Sequence, residues 1–310
     1  MERVARDRLL KRLREEADLS NATRAVKLRH LPFRLVLPRA LHALGLTQCV
    51  TVRTFFDRDM RVHLPDPVGV NLYQYGFLEA GLTRAIIEQL PAGGVFVDIG
   101  AHVGYYTILA SLLVGPGGRV IAFEPTPRTR TELSLNTAGL DNISIVPLAA
   151  WDEPAWLVLQ DFGWRQSSFN SVVAPRLRGN PRGESIQVEA VPVDDWLDEH
   201  GIAPTFIKID AESAEYRVLQ GLRRTIERYR PTLSLEVGDF DLPGVPCSAD
   251  LIRMLAGQGY DAWQYRGGEL VQHRISDRYG YDNLIFMPSR RATRNVAAHP
   301  VELPMCKISR

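Results

Sequence analysis

Two sets of carboxylates, each at the end of an apolar run, carry the chemistry of this sequence. The first opens VFVDIGAHVGYYTILA, Val95 to Ala110, where the run ends in Asp98 and Gly100 and Gly104 follow before a helix-like stretch. Glycines there let the backbone turn tightly and come close to a ligand. The amide-rich start of the next helix favours a carboxylate or phosphate. Glu124, at the end of RVIAFEP, stands where an α/β fold puts a carboxylate on a ribose diol. No Gly-Lys-Ser/Thr follows the turn, which excludes a P-loop. A dinucleotide fingerprint wants glycine where this chain has His102, so a pyrophosphate would meet a side chain where it needs bare backbone.

A carboxylate, a glycine turn and a second carboxylate one strand later suit S-adenosylmethionine. Its amino group can meet Asp98, its carboxylate the turn amides around Gly100, His102 and Gly104, and its ribose Glu124. Trp151 and Asp152, after the third strand, read either as adenine contacts or, with a Trp common in any core, as ordinary structural residues.

The second set is FIKIDAESAEYRVLQG, with Asp210, Glu212 and Glu215, followed by TLSLEV with Glu236. Both runs should deliver their acids to the carboxyl edge of a sheet, where α/β folds bind ligands. Like charges gathered there repel, so they need a reason. Three stay open: a general base for an acceptor hydroxyl, a Mg²⁺ shared by Asp210 and Glu236, or acids at a helix start for Glu212 and Glu215. An ion pair is an equal reading of Glu236.

These blocks resemble the FkbM-type S-adenosylmethionine-dependent methyltransferases. The likeness runs from about Tyr75 to Pro288 and rests on FVDIGAHVGYYT, GRVIAFEPTP with Asn136 downstream, VPVDDWL, FIKIDAESAEYRVLQG, RPTLSLEV and NLIFMP. It implies a class I methyltransferase (Rossmann-like) fold, a doubly wound seven-stranded sheet whose last strand is antiparallel. It also implies methyl transfer to oxygen on a small hydroxylated acceptor, a sugar, glycan or secondary metabolite. Asp210, with Glu212 and Glu215, would then activate the acceptor. The family usually has Asn at His102 and Gly at Ser213. Glu79 matches a family Glu beside the core, with a surface helical Glu as the plain alternative. A catalytically silent cofactor-binding module and a nicotinamide oxidoreductase are the rival readings. The latter lacks a Ser/Tyr/Lys pattern here.

The long polar segment from Gly163 to Ser185 brings Ser167, Ser168 and Asn170 to family positions. Its Arg165, Arg176, Arg178 and Arg182 suit an anionic acceptor or a solvated loop. Asp194 reads as a helix cap before a ligand residue, and His273 as a candidate base or a lone loop histidine.

The elements that must position these groups follow from periodicity. Cys49 to Pro65 reads as a β-hairpin and FLEAGLTRAIIEQL as a helix. From Val95, strands and helices alternate, the pattern of a mostly parallel sheet. The expected organisation is a helical and hairpin extension over residues 1–90, a catalytic domain over 91–288 and a polar tail over 289–310. The first 48 residues are basic, through Arg24, Lys27, Arg29, Arg34 and Arg39 among others. They suit a solvated helical face, or a surface that touches a partner or makes peripheral contact with anionic lipid. The net charge of +1 gives no field for nucleic acid. Cys49, Cys247 and Cys306 are too scattered for a disulfide framework or zinc site, which fits a cytoplasmic protein. No leader-like apolar run or membrane span is read.

Overall fold

A computed structural model describes residues 3–173 and 183–289. Arg176, Arg178, Arg182, Cys306 and the tail from residue 290 lie outside them. Three helices come first, α1 (Arg3–Asn21), α2 (Arg24–His30) and α3 (Pro32–Leu44), then a hairpin of β1 (Gln48–Arg53) and β2 (Asp59–Leu64). Helices α4 (Pro67–Tyr75) and α5 (Ala80–Gln89) lead into β3 (Val95–Ile99), α6 (Tyr105–Val114), β4 (Arg119–Phe123), α7 (Pro127–Asn136) and β5 (Ile143–Val146). Next come β6 (Ala149–Trp151), β7 (Ala155–Asp161), β8 (Glu184–Pro192), α8 (Val193–Glu199) and β9 (Phe206–Ile209). The chain closes with α9 (Glu215–Gln220), α10 (Arg223–Tyr229), β10 (Thr232–Val237), α11 (Ser248–Gly257), β11 (Tyr260–Arg266), β12 (Glu269–Gln272) and β13 (Asp282–Pro288).

The main sheet runs β12-β11-β13-β10-β9-β3-β4-β5. Strands β5, β4, β3, β9 and β10 are parallel, and β13 inserts antiparallel between β10 and β11. This is the class I methyltransferase order, with β12 added at the edge as an eighth strand. ISIVPLAA, one strand by its pattern, divides at Pro147: β5 joins the main sheet, and β6 leaves it for a three-stranded sheet with β8 and β7. Proline has no amide to donate to a ladder, which marks the break. AEYRVLQGLRRTIERY likewise splits at Gly221, where a Cβ would lie 1.9 Å from the Trp151 carbonyl oxygen.

Strand alternation sends Val97, Ile121, Ile207, Leu233 and Leu235 to one core, packed under α8 to α11. Phe96, Val120, Phe206 and Ile285 face the other core, with α5, α6 and the hairpin. Asp98 and Lys208 share that second face and stand opposite each other in the β3–β9 register. A charged pair is thereby built into an otherwise apolar layer.

Candidate functional site

The carboxyl ends of β3, β4, β9 and β10 open into a cavity of about 680 Å³. That size suits a drug-sized ligand, for which pockets run from roughly 300 to 1,000 Å³. The glycine turn forms one wall. Gly100 has φ +77° and packs so closely on β9 that a Cβ would lie 1.9 Å from the Asp210 carbonyl oxygen. Gly104, at φ +94°, faces Leu133, whose Cδ1 would meet a Cβ at 2.6 Å. Asn136 fastens this turn to the hairpin: its Nδ2 donates to the carbonyls of Val103 (2.9 Å) and Arg61 (3.0 Å).

Glu124 is buried at the end of β4 and lines the cavity. Its Oε1 accepts from the Thr126 amide (2.9 Å) and the Thr129 hydroxyl (2.8 Å), while its Oε2 accepts from the His102 amide (2.8 Å). A carboxylate has about four lone-pair sites, so these donors leave Oε2 room for one more. His102 lines the cavity at φ +51°, and its Nε2 lies 2.9 Å from Ser167 Oγ. The Ser167 hydroxyl reaches Asp66 Oδ2 at 3.1 Å, and the Ser168 amide donates to the same oxygen at 3.0 Å. Asp66 also caps α4 through the Val68 and Gly69 amides. One buried aspartate therefore joins the hairpin exit to the loop that closes the cavity. It precedes Pro67 at a helix start, a cap signal in the sequence, but nothing local revealed its second role.

Asp98 lies beneath the cavity rather than on its wall. It is fully buried, accepts from the Thr107 hydroxyl at 2.6 Å and pairs with Lys208 Nζ at 3.3 Å. Lys208 also reaches Asp210 at 3.3 Å and donates to the Gly100 carbonyl at 3.2 Å. Burial lowers its proton affinity, but Asp210, Asp98 and Glu79 outweigh it, and the ammonium is held above its ordinary pKa. Asp98, expected at the ligand amino group, is thus engaged in a buried ion pair below the cavity wall. A charge inside the apolar strand FIKI was the signal, because a buried charge requires partners.

Asp210 and Glu212 line the cavity, as does Glu236 from β10, and the three bring carboxylate oxygens within 4.8 Å of one another. Glu215 turns away from it: its Oε1 accepts from the amides of Ala211 and Ser213, both at 3.2 Å, and holds the turn before α9. The helix-start reading applies to Glu215. Trp151 and Asp152 also lie off the cavity wall, where Leu148, Ala149 and Ala150 stand instead. Asp152 pairs with Arg217 at 2.5 Å, and that guanidinium covers the Trp151 ring.

Glu79 faces the cavity at φ +37°. Its carboxylate accepts from Tyr106 (2.6 Å), Asn283 Nδ2 (2.6 Å) and the Tyr281 hydroxyl. Burial and the nearby Asp210 charge push its pKa above the ordinary carboxyl value despite these donors. Among the described residues seven non-glycines have positive φ, and Glu79, His102 and Glu212 of these line the cavity. Strain held at a cavity wall points to function.

The remaining expectations fall on either side. Ser167, Ser168 and Asn170 line the cavity. Arg165 donates to the His42 carbonyl at the end of α3. Asp194 caps α10 through the amides of Arg224 and Thr225, both at 2.8 Å. His273 lies on the sheet edge against Tyr279, its pKa lowered by burial.

A family model described as the methyltransferase FkbM domain matches residues 98–262. No curated protein matches the chain. Among solved structures, a methyltransferase FkbM from Methylobacillus flagellatus is 17% identical, with a TM-score of 0.40, over 70% of this chain and 52% of that one, about half its length. Aeropyrum pernix fibrillarin, solved with natively bound S-adenosyl-L-methionine, is 14% identical over 64% of this chain and 68% of that one, TM-score 0.38. A precorrin-6y C5,15-methyltransferase from Geobacter metallireducens is 14% identical over 67% and 87%, TM-score 0.39.

Proposed function

This chain belongs to the FkbM family of S-adenosylmethionine-dependent methyltransferases, and we propose that it methylates a hydroxyl oxygen of a small polyhydroxylated acceptor, a sugar, glycan or secondary metabolite. The observation that carries the reading is the shared cavity. The glycine turn and Glu124 line it together with Glu79, Asp210, Glu212 and Glu236. A cytoplasmic setting fits the same reading.

The donor set suits the cofactor. The second acceptor position of Glu124 Oε2 would take a ribose hydroxyl, and the first amides of α6, which have no carbonyl partner within the helix, would take a carboxylate. When bound, the cofactor supplies an electrophilic methyl on a sulfonium. The protein then has to hold an acceptor oxygen in line with that methyl, at about 3–3.5 Å, and to receive the proton the oxygen loses. Asp210 is the carboxylate we assign to the proton, because it lines the cavity and Lys208 fixes its direction. Glu79 is a second acceptor, kept basic by burial. A wall carrying these acids accepts hydroxyl donors and disfavours anionic acceptors.

The test is incubation with S-adenosylmethionine carrying a ¹³C methyl and a panel of sugars and polyhydroxylated metabolites, with and without Mg²⁺. The ion is included because of the three converging carboxylates. A new O-methyl carbon resonance that needs the protein is expected. A labelled methyl on nitrogen or carbon would overturn the assignment of oxygen as nucleophile.

A further inference from the structure

Helix α3 has apolar residues on two sides. Leu35 and Leu41, with Pro38 between them, are buried, and the helix packs on α4. On another side Phe33, Val36, Ala40 and Leu44 recur at helical spacing and face outward. Phe33 is 83% exposed, Val36 59% and Leu44 70%, and Leu46, just past the helix, is 53% exposed. Large apolar side chains gathered outward on one short helix mark an interaction surface.

The charge around this face selects its partner. Arg24, Lys27 and Arg39 share a surface groove with Val36 and Ala40, Arg29 on α2 and Arg34 on α3 are exposed, and no Asp or Glu occurs between Asp18 and Asp57. The whole chain has a net charge of only +1, so the cations are concentrated here. Glu16 on α1 is the acid whose charge interacts with Arg34. A second copy of this face would set like charges against each other. An apolar strip flanked by Lys and Arg is instead the composition of a helix lying in the plane of an anionic bilayer.

We propose that α2 and α3 form a peripheral membrane-binding surface, with Phe33, Val36 and Leu44 entering the headgroup boundary and the flanking cations meeting anionic lipid. The surface adjoins the site. Arg165, just before the cavity-lining Ser167, donates to the His42 carbonyl at 3.1 Å near the end of α3. A bilayer under α3 would therefore lie against the segment leading into the cavity wall.

The experiment is co-sedimentation of the full chain with vesicles of phosphatidylcholine alone or with about 30 mol% phosphatidylglycerol. Binding to the anionic vesicles is expected to be about tenfold tighter than to neutral ones, and to weaken about tenfold in both Phe33→Ser/Leu44→Ser and Arg24→Glu/Arg29→Glu/Arg39→Glu. These side chains are exposed, so each variant should keep the wild-type melting temperature and its affinity for S-adenosylhomocysteine. Absence of vesicle binding, or binding that neither variant weakens, would overturn the proposal. So would retention on immobilised polyglutamate without vesicle binding, which would assign the face to an acidic protein. A dimer in sedimentation velocity that Phe33→Ser/Leu44→Ser dissolves, without lipid binding, would assign it to self-association.

Discussion

Replacing Lys208 with methionine removes the cation between Asp98 and Asp210 while keeping most of the side-chain volume. Asp210 keeps access to the cavity, but Asp98 does not: its carboxylate is fully buried and would retain only the Thr107 hydroxyl. Breaking a buried pair from one side costs about 3–5 kcal/mol. With an unfolding entropy of about 2.1 cal/mol/K per residue over 310 residues, that becomes a drop in melting temperature of about 5–8 °C. The orphaned Asp98 would also have a folded-state pKa raised by burial. Its folded state would bind more protons than its unfolded state, so the deficit should shrink as pH falls from 7 towards 4. Thermal unfolding of wild type, Lys208→Met, Asp98→Asn and the double variant measures both effects. The double variant is expected to recover about 2 kcal/mol relative to the sum of the singles. A Lys208→Met protein melting within a degree of wild type, or strictly additive singles, would refute the pairing argument.

Three further outcomes follow from the site. Ser213 holds φ +80°, a conformation that costs a non-glycine about 1–2 kcal/mol, so Ser213→Gly should raise unfolding stability by about 1 kcal/mol in urea. Glu79 has a pKa raised by burial and by Asp210, so its folded state gains protons that the unfolded state has lost. Wild type should therefore gain stability relative to Glu79→Gln as pH is lowered from the raised pKa towards the unfolded value near 4.3, and a constant difference in melting temperature across that window would contradict it. Asp210→Asn should reduce turnover by about a hundredfold while S-adenosylhomocysteine affinity changes little, and unchanged turnover would remove Asp210 from the reaction.

Much of this arrangement was legible along the chain because it is local. Alternating strands and helices predicted a mostly parallel sheet, and Gly100, Gly104 and Glu124 sit where a strand, a turn and the next strand put them. What the sequence hid depends on contacts between distant segments. Asp98 reads as a ligand carboxylate, and only the β3–β9 register shows that Lys208 stands beside it. Trp151 and Asp152 follow an apolar run, but Pro147 diverts that run into a second sheet and Arg217 covers both residues. Glu215 is one turn from Asp210, yet its carboxylate is used by the amides of Ala211 and Ser213. Asp66 and Ser167 lie about a hundred residues apart, and no local pattern predicts their bond.

The central claim is that the cavity holds S-adenosylmethionine against the glycine turn and Glu124. Calorimetric titration of wild type and Glu124→Ala with S-adenosylhomocysteine, and separately with NADH, tests it most directly. One charged hydrogen bond is worth about 1.5–3 kcal/mol, so the account expects S-adenosylhomocysteine to bind wild type, the variant to bind it at least tenfold more weakly, and NADH to give no heat. Binding of NADH, or no binding of S-adenosylhomocysteine to the wild-type protein, would contradict the account.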